Sequence, residues 1–300
     1  MKKVYVLGGC RTPIGKMGGA LSSLSATDLG AIVIAETLKR TGIKPEEVNH
    51  VFMGCVIQAG LGQNVARQAS IKAGLPVTTT AETINAVCGS GLECVNNAAR
   101  MIQTGDADVV IAGGMESMSN APYILKKARF GYRMGNAQMI DAMINDALWD
   151  SFNDYHMGIT AENVCEQWKI SREELDEFSV ASQQKAVAAI SEGKFKDEIV
   201  PVKIENKKEI IMVDTDEGPR TDSTVDSLKN LRSAFKVDGI VTAGNSSGIN
   251  DGAAAVILVS EDKLKELKID PIAQWLGGAM GGVRSINHGN WSGCVYKKIA

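Results

Sequence analysis

One stretch limits what this chain can become more than any other: Thr83-Ile84-Asn85-Ala86-Val87-Cys88-Gly89-Ser90-Gly91. The run before it reads as a buried strand. The run after it, Leu92 to Ile102, repeats its apolar residues at helical spacing. Cys88 therefore falls where a strand turns sharply into a helix. Gly89 and Gly91 permit a tight turn and the close approach of another backbone. A thiol at a helix start meets free N–H groups and the positive end of the helix dipole, and both favour thiolate. The geometry is that of a nucleophile elbow with sulfur in place of the serine oxygen. The same residues also fit one more small buried cysteine. The local pattern leaves the two readings level.

The flanking chain says what kind of sheet carries this turn. Residues 4–9, Val51 to Val56 and Ala107 to Ala112 read as short apolar strands. Thr27 or Asp28 caps a helix through Leu38, and Gly42 stops it. Pro45-Glu46-Glu47 fits a first helical turn, and Asn64 to Ala73 a helix ending at Gly74. Strands alternating with helices predict a mainly parallel sheet covered on both faces. From about Ser119 to 250 the chain is more polar and irregular, which reads as an insertion over the sheet. Ser171-Arg172-Glu173-Glu174 is a capping box for a helix through about Ile190, and Glu209 to Val213 fits a strand. Lys126-Lys127-Ala128-Arg129 is a basic cluster of the sort that solvent covers. The sheet resumes at Ala253 to Val259, and a closing helix follows over Glu261 to Leu267. Ile272 to Leu276 reads as a strand that begins another unit.

Composition excludes several function classes. Three hundred residues can bury a sizeable core and suggest two or three folded units. A net charge of −3 marks no general polyanion binder, so a ligand phosphate must be met by local groups. No apolar run approaches the roughly twenty residues of a membrane span. Lys2-Lys3 is not followed by the apolar segment of a signal peptide, which points to the cytoplasm. The cysteines at 10, 55, 88, 94, 165 and 294 form no CxxC metal pair. The glycine runs at 113–114 and 277–282 lack the context of a dinucleotide fingerprint. No metal, flavin or nicotinamide is expected.

Ordered motifs narrow this further. Asn85-Ala86-Val87-Cys88-Gly89-Ser90-Gly91-Leu92 resembles the nucleophile motif of thiolases. Arg11-Thr12-Pro13-Ile14-Gly15, Ala112-Gly113-Gly114-Met115-Glu116-Ser117-Met118-Ser119 and Ala243-Gly244-Asn245-Ser246-Ser247-Gly248-Ile249-Asn250-Asp251-Gly252-Ala253 resemble the same family in the same order. So do Gly158-Ile159-Thr160-Ala161-Glu162 and Gly218-Pro219-Arg220. The resemblance runs over residues 1–283 and is nearest the short-chain biosynthetic type, which acts on acetyl-CoA. It implies an α/β fold, the αβαβα sandwich of two similar halves, with a loop domain inserted in the first. On that plan residues 1–119 and 251–270 form the first half, 120–250 the loop domain over the CoA site, and 271–300 part of the second half. A homodimer or homotetramer is implied for the complete family member.

The resemblance also implies roles. Cys88 takes an acetyl group as a thioester, and its own amide helps hold the oxyanion. A second acetyl-CoA then attacks, giving acetoacetyl-CoA and free CoA; thiolysis is the reverse. CoA is substrate here, and no separate cofactor is implied. Leu148, His156 and Met157 correspond to residues lining the pantetheine channel. Arg220 corresponds to the nucleotide end of CoA, where a guanidinium suits phosphate or adenine. Ser227 and Phe235 correspond to further CoA contacts, and Ala243, Ser247 and Gly248 to the loop along the pantetheine arm. Taken singly these residues read otherwise. His156 fits a structural histidine, Arg220 a solvated charge, Met134 and Met157 core fillers, and Ser247 a turn residue.

The pattern also departs from the family. Thiolases carry Asn-Glu-Ala-Phe, Gly-His-Pro and Cys-x-Gly-Gly-Gly segments that supply an oxyanion-hole asparagine, a catalytic histidine and an acid/base cysteine. None occurs in these 300 residues, whose histidines are His50, His156 and His288. Cys294 is followed by Val295-Tyr296 and does not match. The expectation is a C-terminally truncated thiolase with little condensation activity and an exposed apolar sheet face. Two alternatives stand beside it: a non-catalytic CoA-binding fragment, and another condensing enzyme of the ketoacyl synthase type. The loop insertion argues against the last. Arg284 to Gly293 breaks the family pattern, and reading its codons one base out of register restores it, which points to compensated frameshifts. His288 and Trp291 therefore carry no functional reading. Acyl-chain length and the direction of flux stay open.

Overall fold

The computed structural model describes residues 2–205 and 209–282. The elements that matter here are, in chain order, β1 (Val4–Arg11), α1 (Ala26–Thr41), β2 (His50–Gly54), α2 (Val65–Lys72), β3 (Thr80–Ile84), α3 (Ser90–Thr104) and β4 (Val109–Ser117). They continue with α4 (Met157–Trp168), α5 (Arg172–Ser191), β5 (Val202–Glu205), β6 (Ile210–Val213), β7 (Asn250–Ser260), α6 (Glu261–Leu267) and β8 (Ala273–Trp275). The described residues of 1–143, 196–217 and 249–278 make one compact unit; those of 144–195, 218–248 and 279–300 make a second. The stretch read from the sequence as an insertion, 120–250, thus supplies residues 120–143 and 196–217 to the first unit.

Among the described residues, the first unit is built on a seven-stranded sheet in the order β8-β1-β7-β4-β2-β3, with the two-residue strand Gly15–Lys16 paired to β7. Period-two alternation sends Val109, Ile111 and Met115 of β4 to one face and Val110 and Ala112 to the other. The first face packs on Leu29, Val33 and Ile34 of α1 and Val65, Ala66 and Ala69 of α2. The second packs on Cys94, Ala98, Ala99 and Ile102 of α3. Each fully buried Leu, Ile or Val contributes roughly 1.5–3 kcal/mol to holding these layers.

The α/β class and the covering of both faces hold, but the expected mainly parallel sheet does not. Among the described residues, the strand pairs of this sheet that run parallel are β2–β3 and β2–β4. β7 enters antiparallel between β1 and β4, and β8 adds antiparallel to β1. Local alternation of strand and helix cannot reveal a strand that returns from more than a hundred residues away. The strand before Cys88 is also not buried. β3 stands at one end of the sheet, and Thr80 and Glu82 are exposed. Within the run Ile272 to Leu276, Ala273–Trp275 pairs with the first strand of this sheet as β8.

Capping explains the helix ends. α1 is capped by Ser25, two residues before Thr27 and three before Asp28, the expected caps, because Ser25 accepts from the Asp28 amide while Asp28 accepts in return. It ends at Gly42 with φ 70. Asn64 caps α2 by accepting from the Arg67 amide at 3.1 Å. The Ser171 capping box opens α5 as expected. The departure at 284–294 lies outside the described residues.

The matched motifs meet through hydrogen bonds inside the first unit. Arg11 makes a paired contact with Asp216 at 2.7 and 3.0 Å. Thr12 Oγ1 accepts from the Ala253 amide at 3.0 Å. Asp251, almost fully buried, accepts from the Ser119 amide at 2.9 Å and its hydroxyl at 2.5 Å. Burial opposes ionisation of Asp216, yet bonds from Arg11 and the Ile14 amide outweigh it and hold the carboxyl below its ordinary range. Arg11 and Asp251 are therefore fasteners of the scaffold. Among the described residues no helix is long and apolar enough to cross a membrane.

Candidate active site

Cys88 sits on the turn between β3 and α3, exposed to solvent. The turn is built by small polar side chains closing on its own backbone. Asn85 Oδ1 accepts from the Val87 amide at 3.0 Å. Ser90 Oγ accepts from the Ala86 amide at 2.9 Å and donates to the Val87 carbonyl at 2.5 Å. Together they hold Val87 at φ 51, a left-handed conformation that costs a β-branched residue roughly 1–2 kcal/mol. α3 starts at Gly89 with no side-chain cap, which leaves helix-start amides for another acceptor. Gly54, at the end of β2, lets the helix start come down on the sheet: a Cβ there would lie 2.7 Å from Ser90 Cβ and 2.8 Å from the Gly91 nitrogen.

Other cysteines in this unit are poor nucleophiles. Burial pushes the Cys94 thiol up to about 12. Burial also pushes Cys55 up, and the nearby Glu116 carboxylate adds to the effect. The bland reading of Cys88 as a buried small residue therefore fails on exposure, while it fits Cys94 and Cys55.

Leu148, His156, Met157, Arg220, Ser227, Phe235, Ala243, Ser247 and Gly248 all lie in the second unit. His156 is the N-cap of α4, with Nδ1 accepting from the Gly158 amide at 3.0 Å. Its ring stacks on Phe235 at 4.8 Å and 16°. Gly158 makes room for this: any Cβ there would overlap the Phe235 ring. Burial holds the His156 imidazole below its ordinary value. Met157 opens α4 beside it, and Leu148 ends an irregular helical turn just before Trp149, which pairs with His156. So the structure brings His156, Met157 and Phe235 together, with Leu148 close in the chain.

The remaining positions are spread along other segments of that unit. The Arg220 amide donates to Gln183 Oε1 of α5 at 2.7 Å, and Arg220 is exposed. Ser227 donates to the Thr224 carbonyl at 2.7 Å within the short helix Val225–Lys229. Ala243, Ser247 and Gly248 are exposed on a loop. That loop is fastened by Asn245, whose Oδ1 accepts from the Thr242 amide at 2.7 Å and whose Nδ2 donates to Asp176 at 2.9 Å. Asp176 is in turn paired with Arg172 at 2.7 Å.

Three supporting carboxylates escaped the reading of the sequence. Buried Glu162 accepts from the amides of Ile240 and Val241 at 3.1 and 2.8 Å. Asp176 anchors Asn245, as above. Glu116 accepts from the amides of Val56 and Ile57 at 2.8 and 3.2 Å. Burial raises the Glu116 carboxyl above its ordinary value against the pull of those two amides. Glu162 and Glu116 each lie inside a matched motif, and a charge in an otherwise small or apolar run was the available signal. Among the described residues no trio of His, Cys, Asp and Glu is arranged to hold a metal ion.

Comparison with known proteins agrees with this geometry. Residues 4–262 match the family model described as "Thiolase, N-terminal domain". The chain is 56% identical over 281 residues to an acetyl-CoA acetyltransferase of Chromobacterium violaceum, covering 93% of this chain and 72% of that protein. It is 54% identical over 284 residues to an acetyl-CoA acetyltransferase of Syntrophomonas wolfei, covering 94% of this chain and 72% of that protein. The crystal structure of the Bacillus anthracis acetyl-CoA acetyltransferase superposes with a TM-score of 0.96 at 40% identity, over 100% of this chain and 77% of that one. Ordered motifs, a strand-turn-helix cysteine and the mixed sheet beneath it have one common explanation: the chain belongs to the thiolase family.

Proposed function

We propose that this chain accepts an acetyl group from acetyl-CoA as a thioester on Cys88. The sulfur attacks the acetyl carbonyl carbon; the new C–S bond forms as the bond to the CoA sulfur breaks. The Cys88 proton leaves with CoA, which departs as the free thiol. The observation that supports this most is the exposed thiol of Cys88 at an uncapped helix start. Developing negative charge on the acetyl oxygen is best placed against backbone amides of that turn, Cys88's own among them.

The names of the Chromobacterium violaceum and Syntrophomonas wolfei relatives favour acetyl-CoA as donor. His156, Met157 and Phe235 supply an apolar and aromatic corner suited to the thin pantetheine arm. Ala243, Ser247 and Gly248 supply a loop whose small side chains let that arm approach the backbone. Arg220 is the cation proposed for the nucleotide end, and Leu148 and Ser227 complete the CoA contacts. The region 120–250 is proposed as the loop domain that binds CoA, and 271–300 as part of the second half.

The reading is confined to the acylation half of the cycle. In the family a Gly-His-Pro histidine activates the nucleophile and stabilises the enolate, and a Cys-x-Gly-Gly-Gly cysteine is the general acid/base; these 300 residues hold neither segment. A base must lie within hydrogen-bond reach of the proton it takes. What is proposed is the transfer of acetyl to Cys88. Intact-mass and peptide mass spectrometry after mixing with acetyl-CoA test this. One acetyl group on Cys88 is expected; a label elsewhere, or none, overturns the proposal.

A further inference from the structure

We infer that Glu116 is a positioning residue for the Cys88 turn, acting through the loop after β2; this rests on the acyl-acceptor reading of Cys88. The connection is continuous and lies within the first unit. Glu116 receives the Val56 and Ile57 amides on its two oxygens at 2.8 and 3.2 Å, and Cys55 Sγ points at it from 3.6 Å. This fixes the chain just past β2. From there Asn85 Nδ2 donates to the Val56 carbonyl at 3.5 Å, while the same side chain's Oδ1 accepts from the Val87 amide at 3.0 Å. The Cys55 amide donates to the Ile84 carbonyl at 3.1 Å, a second tie between the two segments.

The turn needs such an outside hold. Val87 occupies a left-handed conformation that its own branched side chain disfavours. Asn85 is exposed, so water competes for its bonds unless Val56 is fixed in place. A carboxylate suits this task, because its two oxygens on one rigid plane take the two amides one apiece. A glutamine offers one. Glu116 itself is held by β4, in the middle of the sheet, so its position does not drift with the loop.

The test uses the full 300-residue chain and two rates on the same thiol. Single-turnover acetylation by acetyl-CoA requires an aligned sulfur; alkylation by iodoacetamide does not. In Glu116→Gln, acetylation should fall about tenfold and alkylation should stay within about twofold, since a small misplacement costs an aligned reaction far more than an unaligned one. Asn85→Ala changes an exposed side chain and should show the same split even if Glu116→Gln does not fold. The double variant should be no slower than the slower single variant, because both cut one connection. Equal acetylation in parent and variants overturns the inference, and so does a parallel fall in both rates or a multiplicative double variant. A parent chain that takes no acetyl on Cys88 overturns the acyl-acceptor reading, and the inference with it.

Discussion

Two places in this molecule bear on the same proposed chemistry and are built in opposite ways. The Cys88 turn is local. Its bonds join residues two to four apart, Asn85 to Val87 and Ser90 to Ala86 and Val87. The His156 corner is assembled from distant chain: Phe235 stacks on a histidine seventy-nine positions earlier (235 less 156), over a glycine that leaves it room. A local device carries its shape in its own sequence, and what it needs from outside is an anchor, here the segment after β2. An assembled corner depends on the packing of every segment that brings it together. The difference teaches that the nucleophile's presentation and the ligand corner should fail to different substitutions, and each substitution below probes one side.

The largest effect belongs to Cys88→Ala. Removing the sulfur should abolish acetyl labelling, a loss of at least about a hundredfold, while the melting temperature stays within a few degrees because the side chain is exposed. Mass spectrometry and a thermal melt read both. Persistent labelling would mean that the local device is not the acceptor.

Gly54→Ala and Gly158→Ala come next and set the two places against each other. An added methyl at 54 meets the backbone of α3's first turn, and one at 158 meets the Phe235 ring. Each should destabilise by roughly 1–3 kcal/mol, the ordinary cost of overpacking. Gly54→Ala should also slow acetylation, since the α3 start must lift. Gly158→Ala should chiefly weaken acetyl-CoA binding, raising the concentration for half-maximal labelling. The comparison breaks if the two variants show the same pattern.

What the sequence made legible follows the same division. The turn was readable because its glycines, serine and cysteine are consecutive and each has a local geometric reason. Ends of helices were readable for the same cause, though Ser25 took the cap expected at Thr27 or Asp28 because it alone pairs reciprocally with Asp28. The sheet's direction was not readable. β7 slots between β1 and β4 from far downstream, and no periodicity encodes a partner strand. The edge position of β3 was missed because the run before Thr83 was taken as buried, while the polar Thr80 and Glu82 spoke for an edge. For Glu162 only the charge itself, in a small and apolar run, was visible; its partner amides, and the asparagine that Asp176 holds, lie far along the chain.

Glu162→Gln probes the assembled side more gently. The substitution leaves one acceptor for two buried amides, Ile240 and Val241, and should cost about 1–3 kcal/mol in thermal or urea unfolding. Acetylation of Cys88 by a saturating donor should be unchanged. A variant that melts like the parent would show that water replaces the lost oxygen and that the corner is less tightly specified than its bonds indicate.

The smallest effect is a pH slope from His156. Burial holds its imidazole below the ordinary value of 6.5, so the unfolded chain binds a proton more readily than the folded one. The sign follows: the histidine's contribution to stability is fully present above pH 6.5 and is lost as pH falls from there through the folded-state value. Geometry gives the same direction independently, because Nδ1 accepts the Gly158 amide and a protonated Nδ1 cannot. The parent should therefore lose melting temperature between about pH 7.5 and about pH 5.5. His50 is depressed by burial too and adds to that loss from the other unit. In His156→Gln the slope should flatten but not vanish, and it should flatten further in His156→Gln with His50→Gln. An unchanged slope in the single variant would mean that the imidazole titrates alike in both states, and the stacked, capping histidine would lose its claim to hold that corner.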